Sequence, residues 1–173
     1  MFDLPVVGRV WVWPDYNGQG LDSCRARPRQ ALRLPTGATQ LASVPHWAWH
    51  EYGNRVGFWR LKAALDRFKI TPSLSVNARV CEDYPRIAQA AHDAGWEFMG
   101  HSYDQRPIHL EPNQRATIKK TVKVIKAFTG KSPVGWLGPG FTQTLDTPEN
   151  LVEAGIKYIF DWPIDDEPVE IGR

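Results

Sequence analysis

Cysteine is scarce. Cys24 and Cys81 are the only two in 173 residues, and no CxxC or Cys/His spacing surrounds either. Neither a disulfide framework nor a structural zinc site can be read from them, and two separated thiols suit the cytoplasm. No apolar run reaches the roughly 18 residues that a membrane span needs. Met1 is not followed by the charged and then apolar segments of a secretory leader, so the chain reads as neither membrane-bound nor exported. An excess of one charge is lacking too. Lys plus Arg number 21 against 19 Asp plus Glu, a net +2, which gives no electrostatic reason to expect nucleic acid. Aromatic residues are plentiful, with 8 Trp, 5 Tyr and 7 Phe. That is more than a core of this size requires, and points to some of them lining a cleft or ligand surface.

From Val56 onward helical and strand-like blocks alternate. Phe58, Leu61, Leu65 and Phe68 recur at helical spacing over residues 56–68, an amphipathic helix that Pro72 ends. Residues 73–77 read as a strand. Asp83 and Pro85 open a second helix that Gly95 closes, and residues 96–100 form the next strand. A third helix runs from about Pro112 to Thr129 with Ile118, Val122 and Ile125 on one stripe and Gly130 as its cap. Its lysines, Lys119, Lys120, Lys123 and Lys126, read as a solvated face. Residues 134–137 are a strand, Thr147 and Pro148 start a short helix ended by Gly155, and residues 157–162 are another strand. With residues 9–13 as an opening strand, helix-bearing crossovers imply parallel strands in an α/β sheet or barrel. Residues 18–43 carry Arg25, Arg27, Arg29 and Arg33 without any period and read as an irregular loop.

In such folds the loops leaving the C-terminal strand ends build the site. Those ends carry Asp15 and Asn17, Asn77, His101, Gly138-Pro139-Gly140 and Asp161. A His and two Asp from separate strands suit metal ligation, or serve as base and electrostatic stabiliser around a carbonyl. Gly138 and Gly140 fit either a bare turn or a loop whose amides approach an oxyanion. Trp136 fits the core or an apolar pocket wall. Asp161 fits a loop anchor as well as a catalytic group, and Asp165 with Asp166 fits a solvated turn.

Four ordered segments carry a resemblance: residues 50–57 (HEYGNRVG), 95–101 (GWEFMGH), 135–140 (GWLGPG) and Asp161-Trp162 followed by Asp165-Asp166. Over roughly residues 44–170 the chain resembles the polysaccharide deacetylase (NodB-homology) superfamily, in its allantoinase-like and cyclic-imide-hydrolase-like branch. The resemblance implies a distorted (β/α) barrel and hydrolysis of a non-peptide carbon–nitrogen bond in an N-acetyl group, a ureide or a cyclic amide. His101 corresponds to the first His of the family's His-x-x-x-His metal motif, and Gln105 stands at the second. A divalent metal such as zinc is what that motif serves, and a catalytic metal needs about three protein ligands. The implied catalytic residues are Asp15 or His101 as base, with Asp161 fixing His101 or the substrate. Glu51 and Arg55 orient substrate or brace a loop, and Trp136, Gly138, Gly140 and Asp165 contact it. Trp136 stands where the classical family has an Arg, which favours a small apolar ring over a sugar.

The expected product is one deacetylase-like domain over residues 1–173, of about five parallel strands, without the family's C-terminal strands. Such an incomplete barrel exposes strand edges and would self-associate into homo-oligomers. Its partners are then a small-molecule or carbohydrate substrate, with neither nucleic acid nor membrane. The competing reading is a truncated or non-catalytic carbohydrate-binding relative.

Overall fold

The computed structural model of the chain describes residues 9–12, 44–165 and 167–171, with side chains from residue 48 onward. Asp15, Asn17, the irregular segment 18–43 and Asp166 lie outside the described residues. Five strands form one parallel sheet: β1 (Arg9–Val12), β2 (Ser73–Val76), β3 (Glu97–Gly100), β4 (Gly135–Trp136) and β5 (Tyr158–Ile159). Their order in space is their order in sequence. A chain that always steps to the same side, with right-handed crossovers, lays its helices on one face and curls the other toward a barrel interior.

The helices are α1 (Val44–Tyr52), α2 (Phe58–Arg67), α3 (Val80–Asp83), α4 (Pro85–Asp93), α5 (Gln114–Thr129) and α6 (Thr147–Glu153). α1 runs into α2 through a π-helical turn, Gly53–Gly57. This first helix was not expected from sequence, because Val44–Tyr52 is almost all apolar, aromatic or His and shows no amphipathic period. α2 stops at Arg67, well before Pro72, because Lys69 turns left-handed at φ 55°. Asp83 ends α3 and pairs with Arg79 at 2.9 Å, so it does not cap α4, which Pro85 begins. α5 follows its expected chemistry: the Asn113 side chain accepts from Ala116 N, and Gly130 closes it at φ 75°. All four lysines of its outer face are exposed.

Strand alternation divides the sheet's two faces. Leu74 and Val76 of β2 and Phe98 of β3 join Phe58, Ile87, Ala91 and Ile125 in a core beneath the helices. A second core gathers Trp136 with Ile108, Ile118, Leu151 and Ile156 under α5 and α6. Each fully buried apolar side chain of this kind contributes roughly 1.5–3 kcal/mol. The other face carries polar side chains around the fully buried Met99. Ser73 Oγ donates to Glu97 at 2.5 Å and Tyr158 Oη donates to the other Glu97 oxygen, which ties β2, β3 and β5 together at their starts. Gly135 on β4 lies under this bridge, and a Cβ there would stand 2.3 Å from the Tyr158 ring. Gly135→Ala should therefore displace Tyr158 and cost about 1–3 kcal/mol by denaturant unfolding. Gly53→Ala, where a Cβ meets nothing within 4 Å, should be neutral or mildly stabilising in the same assay.

Candidate functional site

β3 ends against β4 with no room to spare. A Cβ on Gly100 would lie 2.7 Å from Trp136 Cε3, so glycine is what lets the two strands close. The chain then delivers His101, fully buried, whose N–H donates to Val76 O at 3.0 Å while Asn77 Nδ2 donates to its carbonyl. Ser102 follows at φ 62°, a left-handed backbone that costs a non-glycine residue roughly 1–2 kcal/mol. Ala78 N and Arg79 N hold this bend by donating to Ser102 O and Tyr103 O. Such strain, held in place by its surroundings, is common beside functional groups.

His101 Nδ1 donates to the carbonyl oxygen of Leu137, at the exit of β4. That bond fixes the tautomer and makes Nε2 the basic nitrogen. Burial pushes the imidazole down to about 4, against hydrogen bonds to Leu137 and Gln105 that pull it up, so His101 is neutral at physiological pH. The very next amide, Gly138 N–H, donates to Asp161 Oδ1 at 2.6 Å. One peptide group, Leu137–Gly138, is thus held at its oxygen by the β3 exit and at its nitrogen by the β5 exit. Asp161 is 3% exposed and its Oδ2 has no hydrogen-bond partner. Burial raises its carboxyl to about 6, with the Gly138 N–H opposing. The arrangement supplies a neutral imidazole and a carboxyl that changes charge near neutrality, which is what proton transfer to or from a reacting carbonyl requires.

His101, Gly138 and Asp161 are therefore brought together. Gly138 spends its N–H on Asp161 and is no oxyanion donor in this arrangement. Gly140 is a conformational glycine, at φ 67° inside a short 3-10 turn. Trp136 is 0% exposed and packed in the α5–α6 core, so it presents only its indole nitrogen edge toward Gly138. Glu51 accepts from Tyr84 Oη at 3.2 Å and braces α1 against the start of α4, while Arg55 is exposed on the π-helical turn. Asp165 is exposed and accepts from Glu167 N in its own turn. Sequence reasoning placed Asn77 at a strand end without a role, and it missed Ser102 and the Leu137 carbonyl. Two-residue alternation from Ser73 and Ser75 to Asn77 was the available signal for the first.

With this geometry in view, comparison with known proteins is decisive. The sequence profile of the polysaccharide deacetylase family matches residues 50–159, more than half of the chain. The chain belongs to the polysaccharide deacetylase family. It is 28% identical over 109 residues to the peptidoglycan deacetylase of Helicobacter pylori, covering 62% of this chain and 37% of that protein. It is 31% identical over 111 residues to a peptidoglycan deacetylase-like protein of Gibberella zeae, covering 62% and 33%. The chain thus spans about a third of the length of these curated relatives. In three dimensions it matches the crystal structure of an allantoinase with a TM-score of 0.66 at 24% identity, over 75% of this chain and 44% of that one. That likeness is one of fold, the distorted barrel of this family, of which the chain forms part.

A metal centre of the kind the His-x-x-x-His motif serves needs about three protein ligands. Among the described residues no group of three His, Cys, Asp or Glu side chains could hold a metal ion. His101 has Nδ1 committed to Leu137, and Gln105 stands beside it where the motif has its second His. The described residues do not fit a three-ligand centre.

The two buried groups pull stability in opposite directions with pH. The raised carboxyl of Asp161 contributes stability that is complete below about pH 4 and lost as pH rises through 6. The lowered imidazole of His101 contributes stability that is complete above about pH 6.5 and lost as pH falls through 4. Asp161→Asn keeps an oxygen for Gly138 N–H and removes the charge. At about pH 8 it should be more stable than the parent by about 1–3 kcal/mol. The gain should vanish toward pH 4, leaving a steeper acid loss set by His101, as measured by urea unfolding across pH.

Proposed function

We propose that the protein hydrolyses a non-peptide carbon–nitrogen bond in an N-acetyl, ureide or cyclic amide group, through attack of water on the carbonyl. The observation that carries this reading is the shared Leu137–Gly138 peptide. It links a neutral His101 and a near-neutral-titrating Asp161 at the C-terminal ends of β3 and β5, the two strands that flank β4, in a family of carbohydrate deacetylases. Asp161 handles the proton at Oδ2, His101 accepts or orients through Nε2, and Asp15, three residues beyond β1, supplies a second carboxylate. Glu51 and Arg55 brace or orient the substrate from the α1 side, while Gly140 and Asp165 bound its approach. The substrate is a carbohydrate or a small molecule. Asp165 is exposed and bonded within its own turn, so its share in binding is the smallest.

The chain works in the cytoplasm on this reading. No helix among the described residues is long and apolar enough to cross a membrane. Homo-oligomers would cover exposed apolar residues such as Leu145 and Phe141 beside the site. A second reading, a non-catalytic relative, is favoured by the donor set around His101, which among the described residues does not fit a metal.

Purified protein should be offered an N-acetylglucosamine oligomer, allantoin and a cyclic imide, with added zinc and with EDTA. Turnover of one class is expected, and a folded protein that turns over none of them would establish the non-catalytic reading. His101→Asn retains a donor for the Leu137 carbonyl. It should lower kcat/KM by about 100-fold or more with a melting temperature within a few degrees of the parent. Unchanged turnover would remove His101 from the mechanism.

A further inference from the structure

Gly138 has φ −74° and ψ 147°, an extended backbone open to any residue, so conformation does not explain the glycine. Space does. A Cβ at this position would stand 3.2 Å from Asp161 Oδ1, 3.4 Å from Asp161 Oδ2 and 3.3 Å from Trp136 Nε1. The indole nitrogen and both carboxyl oxygens therefore surround one point beside Gly138 Cα. Trp136 is 0% and Asp161 3% exposed, and neither Trp136 Nε1 nor Asp161 Oδ2 has a hydrogen-bond partner. A buried donor and a buried acceptor left unmade each cost roughly 1–3 kcal/mol, and here both lie within 3.4 Å of the point that a Gly138 Cβ would occupy.

We propose that Trp136 is a positioning residue for Asp161: its indole N–H is the donor that receives the carboxylate when Asp161 ionises, and Gly138 is glycine so that nothing stands between them. Losing its proton turns Oδ2 into a charged acceptor, for which a hydrogen bond is roughly twice as strong as a neutral one. The ring cannot swing far, because Ile108, Ile118, Leu151 and Ile156 hold one side and Gly100 lies against its benzo edge. Asp161 closes the remaining gap. Of the charged groups on the neighbouring elements, Arg115 and Lys119 of α5 pair with Glu153 of α6, and Arg106 pairs with Glu111. His101 sits at the other end of the Leu137–Gly138 peptide and is neutral. The consequence for turnover rests on the hydrolytic reading above; the coupling itself does not.

The test uses protein labelled with 15N at tryptophan, followed by NMR from about pH 4 to 8. The Trp136 indole signal is identified by its loss in Trp136→Phe, or by its contacts to Ile108 and Leu151 if that variant does not fold. In the parent it should move downfield with a midpoint near 6, the value to which burial brings Asp161. The movement should be absent in Asp161→Asn and at least halved in Gly138→Ala, whose methyl enters the gap while the backbone is undisturbed. An indole signal that is flat with pH in the parent, or that moves equally in Asp161→Asn, overturns the proposal. An active enzyme with a flat indole would sink this coupling alone, and an inactive protein whose indole follows Asp161 would sink the hydrolytic reading alone.

Discussion

The structure turns on one peptide group. Leu137 and Gly138 are joined by a bond whose oxygen is held by His101 and whose nitrogen is held by Asp161, so three strand exits meet on a single planar unit. A peptide that accepts at one end and donates at the other is polarised by both bonds in the same sense. His101 is locked into one tautomer, Asp161 is anchored by one oxygen, and the β4 exit is carried between them. β4 is only two residues long. Its place in the site owes as much to these side-chain bonds as to its ladder.

This arrangement depends on what lies beneath it. The alternation that sends Leu74, Val76 and Phe98 under the helices leaves Ser73, Ser75, Glu97 and His101 on the other face. An interior of polar side chains and Met99, ending in His101, is thus the complement of an apolar exterior. Glycines set the spacing at two levels. Gly135 admits Tyr158 at the strand starts, and Gly100 admits Trp136 at the strand ends. Burial then tunes the chemistry. The same exclusion of water that lowers the His101 imidazole raises the Asp161 carboxyl, because in both cases the charged form is the one that loses solvent.

Much of this was legible from periodicity. The five parallel strands and the helices α2, α4, α5 and α6 follow from helical spacing, Pro at first turns and Gly at left-handed caps, all of them local effects. Placement at strand ends singled out His101, Gly138 and Asp161, because parallel topology makes that edge the meeting place of loops. α1 escaped because its aromatic, His-rich segment carries no amphipathic signal. Glu51, Arg55 and Asp165 are site residues by motif position; Glu51 meets Tyr84, Arg55 is exposed and Asp165 is bonded within a local turn. Motif position assigns Trp136 to the substrate, and the fold places it in the α5–α6 core, since core and pocket wall demand the same side chain.

The sequence by itself determined which residues reach the C-terminal edge of the sheet, because strand alternation and crossover topology are encoded in the order of apolar, polar and breaker residues. Only the tertiary structure decided what those residues do there. The Nδ1 tautomer of His101, the anchoring of Asp161 on Gly138 and the seating of Trp136 Nε1 beside that carboxyl join residues 23 to 36 positions apart. Hydrogen bonding and burial at that range depend on how the strands stack, and no local pattern in the chain records it.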